Sequence, residues 1–475
     1  MNLEGMSLKK KFWRFVWPSV VAQWIFALYT MVDGMFVARG VSEVALSAVN
    51  IASPFVNFLF SVSILFAVGT STVVAIFLGQ GRQREANQAN TQNMVVTGVL
   101  SLFIMLMVWL CLDPIVSFLG ATQSTQEYVK HYILSLLPFT WWFIISYTFE
   151  TLVKTDGFPR FAAAAVASGA LVNCVLDYLF VMVFHWGIGG AGAATGLSQM
   201  VPVFLYLKHF LGPKATIRFA RPVWDLGQFI RVVKIGLSSG FTELSAGFTV
   251  FMFNHAILRY IGEQGVVSYT IIAYVNTIVV MSMAGIAQGI QPLISFHYGR
   301  QERDVCSRLL KYSLTASVGV AGIAFISSMA GADWLVGIFI SEKLEGLRQY
   351  SASVFRIFSL SFLVVGFNIT GAGYFTAIER PKESLIISLG RGMVIIAAAL
   401  AVCIGVGGGE GIWWAPAVSE LLCLVVTLFL VYLYESGALY RTGRIQIPTP
   451  EFFVFYNGDK RFPKRENSET FGCIP

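Results

Sequence analysis

Apolar residues run along this chain in long, unbroken stretches, separated by short breaks that carry charge, proline or glycine. A helix crosses a bilayer with about 20 apolar residues, each rising about 1.5 Å. Read this way, the pattern predicts twelve spans, at 12–37, 46–78, 93–112, 128–152, 161–184, 191–210, 232–258, 266–297, 309–330, 352–378, 385–406 and 411–434. The second and eighth are long enough to tilt or protrude. A β-barrel does not fit, because its strands alternate apolar and polar positions over short segments.

Composition points the same way. Of 475 residues, 56% are apolar and 12% charged, with a mean hydropathy of +0.69. Soluble domains carry about 25% charged residues, so this chain cannot cover a water-exposed surface of its size. Twelve helices use about 240 residues and leave no room for a second large soluble domain. The expected fold is an all-α membrane protein.

The net charge of +7 changes the picture through its placement. The basic residues lie between apolar runs and form no patch of the kind that binds nucleic acid. Counted by flank, 27 fall on one side of the predicted spans and 5 on the other, with Arg356 inside a span. That bias predicts both termini in the cytoplasm of a multi-pass protein of the inner cell membrane, and the even span count agrees. Lys9-Lys10-Lys11-Phe12-Trp13-Arg14 looks like the start of a signal peptide, but the apolar segment behind it runs to about Val37 and reads as an uncleaved first span. Trp13, Trp17, Trp186, Trp334, Trp413 and Trp414 fall near span ends, where an aromatic belt belongs.

The two halves resemble each other. Gly69–Gly79 in span 2 matches Gly289–Gly299 in span 8, and each is followed by a basic loop whose register slips by two residues. Phe158-Pro159-Arg160 after span 4 matches Arg380-Pro381-Lys382 after span 10. Two six-helix repeats in the same orientation are related by a pseudo-twofold axis near the membrane normal. The expected organisation is a lobe at 1–211, a basic, proline-containing cytoplasmic linker at 212–231, a second lobe at 232–436, and a polar cytoplasmic tail at 437–475.

A search for chemistry mostly excludes. No phosphate-cradling G-x-x-x-x-G-K-[ST] occurs, so no nucleotide partner and no ATP-driven pumping is expected. No His-Glu-x-x-His occurs, and none of Cys111, Cys174, Cys306, Cys403, Cys423 and Cys473 forms a C-x-x-C pair. No cofactor and no enzymatic activity are expected. A solute carrier without a nucleotide domain draws on an ion gradient.

Span 1 ends Val32-Asp33-Gly34-Met35-Phe36-Val37, span 5 carries Asn173-Cys174-Val175-Leu176-Asp177, and span 6 opens Gly189-Gly190-Ala191-Gly192-Ala193-Ala194-Thr195. Span 8 carries Gly289-Ile290-Gln291-Pro292. In this order these motifs resemble the multidrug and toxic compound extrusion (MATE) family of cation-coupled antiporters, over about Phe12 to Tyr434. The resemblance implies that Asp33, Asn173, Asp177 and Thr195 line a first-lobe cavity that binds protons or Na+. It also implies a monomer exporting organic cations or drugs by alternating access. One departure stands out: some relatives use acids in spans 7 and 10, and span 10 here has none from Ile357 to Ile378. A second-lobe cation site is therefore not expected to be complete.

The same residues read physically. A carboxylate inside hydrocarbon costs several kcal/mol, so it faces protein or a water-filled cavity. Asp33 shares a helical face with Tyr29 and Thr30, and Asn173 and Asp177 are one turn apart. Together they offer hard oxygen ligands. An interfacial acid and a helix-packing hydrogen bond are the bland readings of the same positions. Glu243, with Ser238, Ser239, Thr242 and Gly247, gives span 7 a small polar face that suits an interlobe cavity for cationic substrate. Tyr29, Gln288 and Gln291 are further substrate-contact candidates, although helix-to-helix hydrogen bonding serves Gln288, Gln291, Asn254, His255 and Arg356 equally. Glu150 and Lys154, four apart, read as a local ion pair. A lipid-linked precursor flippase and a membrane-embedded lipid-carrier transferase are the alternatives. The first needs a strongly cationic cavity and the second a loop with paired acids or a metal motif.

The orientation is directly testable. Cysteines placed at 212–231 should react with membrane-impermeant reagents only after the cytoplasmic face is opened, and labelling from outside intact cells would reverse the assignment.

Overall fold

The computed structural model describes residues 5–340 and 342–436, and the expected tail lies outside them. Among these residues no strand occurs. The helices are α1 (Leu8–Gly40), α2 (Glu43–Gly79), α3 (Gln83–Leu110), α4 (Leu112–Phe118), α5 (Gln126–Leu136), α6 (Thr140–Thr155), α7 (Pro159–Asp177) and α8 (Gly187–Phe210) in the first half. The second half holds α9 (Leu226–Tyr260), α10 (Glu263–Gly299), α11 (Arg303–Phe339), α12 (Glu345–Ser359), α13 (Phe362–Ala377), α14 (Pro381–Leu389) and α15 (Ile395–Glu435). Nine helical stretches are long and apolar enough to cross a membrane, and α12 with α13, bent by 41°, makes a tenth. One of the nine, Pro381–Glu435, covers both spans 11 and 12, with a non-helical turn at Gly408 (φ 58°) that only glycine adopts cheaply. Span 7 is α9, which falls outside that set of apolar helices and carries Ser238, Ser239, Thr242 and Glu243. The fold is twelve spans in two six-helix lobes.

The boundaries differ from expectation where polar residues find partners inside the protein. Span 3 was expected from residue 93, yet α3 begins at Gln83, because its amide-rich start binds the linker rather than lipid. Gln83 Nε2 donates to Thr216 O, Asn87 Oδ1 accepts from Arg218 N, Thr91 Oγ1 accepts from Ala220 N, and Gln92 Nε2 donates to Asp225 O. Buried Asp156, just past α6, accepts from Thr216 N and Ile217 N and pairs with His209. The linker is therefore strapped to the first lobe. It is also shorter than 212–231, since α9 starts at Leu226, where the Asp225 side chain caps Gln228 N.

The repeat persists in the backbone. After α6 and after α13 the chain turns through a left-handed residue, Gly157 (φ 97°) and Glu379 (φ 57°), and restarts a helix on Pro159 and Pro381. Proline at a first helical position gives up no hydrogen bond. After α2 and α10 the left-handed residues are Gly81 and Gln301, with matching closing bonds: Arg82 N to Phe77 O, and Glu302 N to His297 O. The two-residue slip seen in the loop sequences is absent from this geometry.

The lobes meet along α1 against α10 and α2 against α9 and α10. The described hydrogen bonds between them include Gln23 Nε2 to Gln288 Oε1 (2.7 Å), Trp24 Nε1 to Ser282 Oγ (2.8 Å), Ser61 Oγ to Gly240 O (2.9 Å) and Gln291 Nε2 to Thr72 Oγ1 (2.8 Å), with Gln291 Nε2 also 3.5 Å from Val68 O. All lie between the middle of the bundle and the end where α1 begins. Glycines allow this closeness: a Cβ on Gly236 would collide with the Leu65 carbonyl, and one on Gly79 with that of Phe296. At the extreme of this end, the Arg231 guanidinium lies 5.1 Å from the Phe77 ring centre across the interface and pairs with Glu379. The lobes are thus closed on the side of the N-terminus.

Gly236→Leu should force this seam apart. Overpacking of this kind costs about 1–3 kcal/mol, so the closed-to-open ratio should drop by about fivefold or more. Cysteines at Gln23 and Gln288 should be bridged efficiently by a short dithiol reagent, and that yield should fall when Gly236→Leu is added; an unchanged yield would show that the contact does not hold the lobes.

Candidate functional site

The first lobe places its polar residues where α1 runs beside α7. Asp177 is the last residue of α7, after which the chain widens into a π-helical turn, Tyr178–Val183. Such turns interrupt regular side-chain spacing and occur often at functional positions. Asn173 (1% exposed) and Asp177 (0%) point inward. The carboxyl groups of Asp33 and Asp177 face each other within hydrogen-bonding range, an arrangement that makes a bond only when one carries a proton. As carboxylates they have no donor. Asp33 Oδ1, both oxygens of Asp177, and both amide atoms of Asn173 are buried without a hydrogen-bond partner. An unsatisfied buried polar group costs about 1–3 kcal/mol, and a charged one more. Tyr29 and Tyr132 lie within electrostatic reach of both acids.

This set fits a small cation. Two carboxylates and an amide oxygen are hard ligands, and a proton or a monovalent ion supplies the missing positive charge. Among the described residues no group of three or more His, Cys, Asp or Glu side chains converges, so a dedicated multivalent metal cage is not formed.

Beside Asn173 lies a cavity of about 60 Å³, lined by Phe26, Tyr29, Asn173 and Gln199, and further along by Ser146, Tyr147 and Glu150. Of the sequence candidates, Asp33, Asn173, Asp177 and Tyr29 come together. Thr195 does not join them by any described contact: its hydroxyl donates to Ala191 O on its own helix, and Gln199, one turn on, faces the cavity instead. Gln288 and Gln291 are tied into the closed interface by their bonds to Gln23 and Thr72. Glu243 sits on α9 between Gly240, which meets Ser61, and Gly247, which faces Asn57. It makes no hydrogen bond or ion pair among the described residues.

The second lobe holds a network that sequence reasoning missed. Arg391 Nε donates to Glu420 Oε1 (2.7 Å), Asn368 Nδ2 donates to Glu420 Oε2 (2.7 Å), and Thr427 Oγ1 donates to Asn368 Oδ1 (2.8 Å). Arg391 was counted with the flanking basic residues, yet it lies ten residues past Pro381, where α14 starts, in a second π-helical turn, Gly390–Val394. The signal was available: one base and one acid, each alone in its predicted apolar run. Here the carboxylate is satisfied from within.

The chain resembles proteins whose membership and names are consistent with this arrangement. The MatE family model matches residues 18–179 and 240–403. Multidrug export protein MepA of Staphylococcus saprophyticus is 20% identical over 438 residues, covering 91% of this chain and 95% of that protein. Probable multidrug resistance protein NorM of Bacillus licheniformis is 22% identical over 405 residues, covering 80% and 86%. A solved structure described as the outward-facing conformation of a multidrug resistance MATE family transporter superposes with a TM-score of 0.86 at 19% identity, covering 92% of this chain and 98% of that one.

Proposed function

The chain belongs to the MatE family, and on that premise we propose that it is a secondary antiporter of the cell membrane that exports organic cations or drugs in exchange for protons or Na+. The observation that carries this reading is the first-lobe cluster of buried oxygens without donors. A cation taken up there satisfies Asp33 and Asp177; losing it leaves the pair unneutralised, which disfavours burial and links ion occupancy to conformation. With the basic-rich side inside, the closed seam faces the cytoplasm, as suits a state in which a coupling ion enters and drug leaves on the opposite side. Parting the seam would then present Glu243, Gln288 and Gln291 to cytoplasmic substrate. The substrate class follows from charge: Glu243 is an acid with no internal counter-ion on the face where the lobes meet. The multidrug export named for the MepA relative supports the same direction of transport. One protomer holds every group this cycle uses.

Asp33→Asn preserves size and hydrogen bonding while removing the titrating charge. The variant should fold and insert, yet efflux from vesicles under an imposed proton or Na+ gradient should fall to the level of empty vesicles. Gradient-driven pumping by correctly folded Asp33→Asn protein would refute the assignment.

Glu243→Gln should weaken binding of cationic drugs by about tenfold, the equivalent of about 1.4 kcal/mol, and leave neutral ones nearly unchanged. Equal losses for both classes would sink the proposed contact.

A further inference from the structure

The cavity is walled by Asn173, one helical turn before Asp177, and extends from there away from the acid pair. Along α7, which starts on the side of the N-terminus, Asn173 lies 14 residues in, about 21 Å by helical rise. Along α6, which ends on that same side, Glu150 lies five residues from the last turn, about 8 Å. One cavity touches both residues, so it runs lengthwise through the lobe over about 13 Å. Its walls carry polar groups at intervals: Gln199 and Ser198 on α8, Ser146 and Tyr147 on α6. The Tyr147 hydroxyl is buried and has no hydrogen-bond partner. At the far end Glu150 is 8% exposed and bonded at 2.5 Å to Lys154, which is 2% exposed. A lysine and a glutamate this deeply buried exceed what a surface helix pair requires.

We propose that Glu150, held by Lys154, is the inner relay of the coupling path: it receives a proton from the Asp33–Asp177 pair along this cavity and releases it toward the side of the N-terminus. This rests on the antiport reading above and commits it to protons. The transfer balances simply. The O–H bond on the aspartate pair breaks, an O–H bond forms on Glu150, and the bond from Lys154 Nζ to Glu150 Oε1 opens while the ammonium keeps its charge. When Glu150 releases the proton to water at the end of α6, the ion pair re-forms. Waters held by the polar wall groups Ser146, Tyr147, Ser198 and Gln199 complete the path, since a space of about 60 Å³ holds a few of them. Na+ suits the route poorly, because Lys154 already fills the cation position at Glu150. The ionisable groups facing Glu150 are Lys154 and Tyr147 on its own helix and Tyr206 on α8, while Tyr147 also lies within reach of Glu243 on α9.

The test uses the full chain in proteoliposomes, with tetraphenylphosphonium as probe. Glu150→Gln with Lys154→Met removes both charges together and avoids leaving either one buried alone. Proton-driven tetraphenylphosphonium transport should drop by about tenfold or more, the scale lost with a positioned proton carrier. Equilibrium tetraphenylphosphonium binding should stay at the wild-type level, and Glu150→Asp should recover part of the rate. Full proton-driven transport in the double variant, loss of probe binding alongside transport, or wild-type transport driven by Na+ alone would each overturn the relay. Failure of the underlying antiport reading is distinguishable: there Asp33→Asn would leave gradient-driven transport intact, whatever Glu150 does.

Discussion

A carboxylate held out of water must be neutralised, and the way each buried acid meets that demand organises this protein. Glu420 meets it with Arg391 and Asn368, and Glu150 with Lys154. Among the described residues, no donor reaches Asp33 Oδ1 or either oxygen of Asp177. The Glu420 solution is permanent, the Asp33–Asp177 one is conditional, and the Glu150–Lys154 pair is closed here but opens in the proposed relay. A permanent pair rigidifies its lobe, whereas the conditional one makes the stability of a conformation depend on what arrives from solution. The asymmetry between lobes is therefore chemical, although the backbones repeat closely enough to share left-handed turn residues at the same places.

Conditional charge becomes useful only if the surrounding helices can shift between discrete packings. The seam between lobes has the right construction. Glycines bring α2 and α9 backbones together, and the hydrogen bonds across it are few and mostly between neutral groups. Such contacts are individually modest, about 0.5–1.5 kcal/mol each, so they close the interface without locking it. Gln288 and Gln291 gain meaning here, as amides that spend one state bonded to the opposite lobe.

Much of this was legible in the sequence. Long apolar runs separated by charge gave the spans, because a bilayer demands length and apolarity together. Asp33, Asn173 and Asp177 stood out because each is a polar residue on an apolar helix. What escaped was pairing across helices. Glu150 and Lys154 looked local at four residues' spacing, and only burial shows them to be interior. Arg391 and Glu420 are 29 residues apart, and no periodicity within either span points to the other. Likewise the amide-rich start of α3 read as a loop, because its partners are backbone groups of a linker more than 120 residues away.

That strapped linker sets the mechanics of any rearrangement. Held by Asp156 at one end and by Gln92 at the other, segment 216–225 belongs to the first lobe as firmly as its helices do. The chain passes into the second lobe at one capped residue, Asp225, beside Gln228. Rotation between halves must then be absorbed over a turn or two of α9 rather than along a slack tether. The covalent joint acts as a short pivot set at one edge of the seam, so the opposite edge swings through the larger arc.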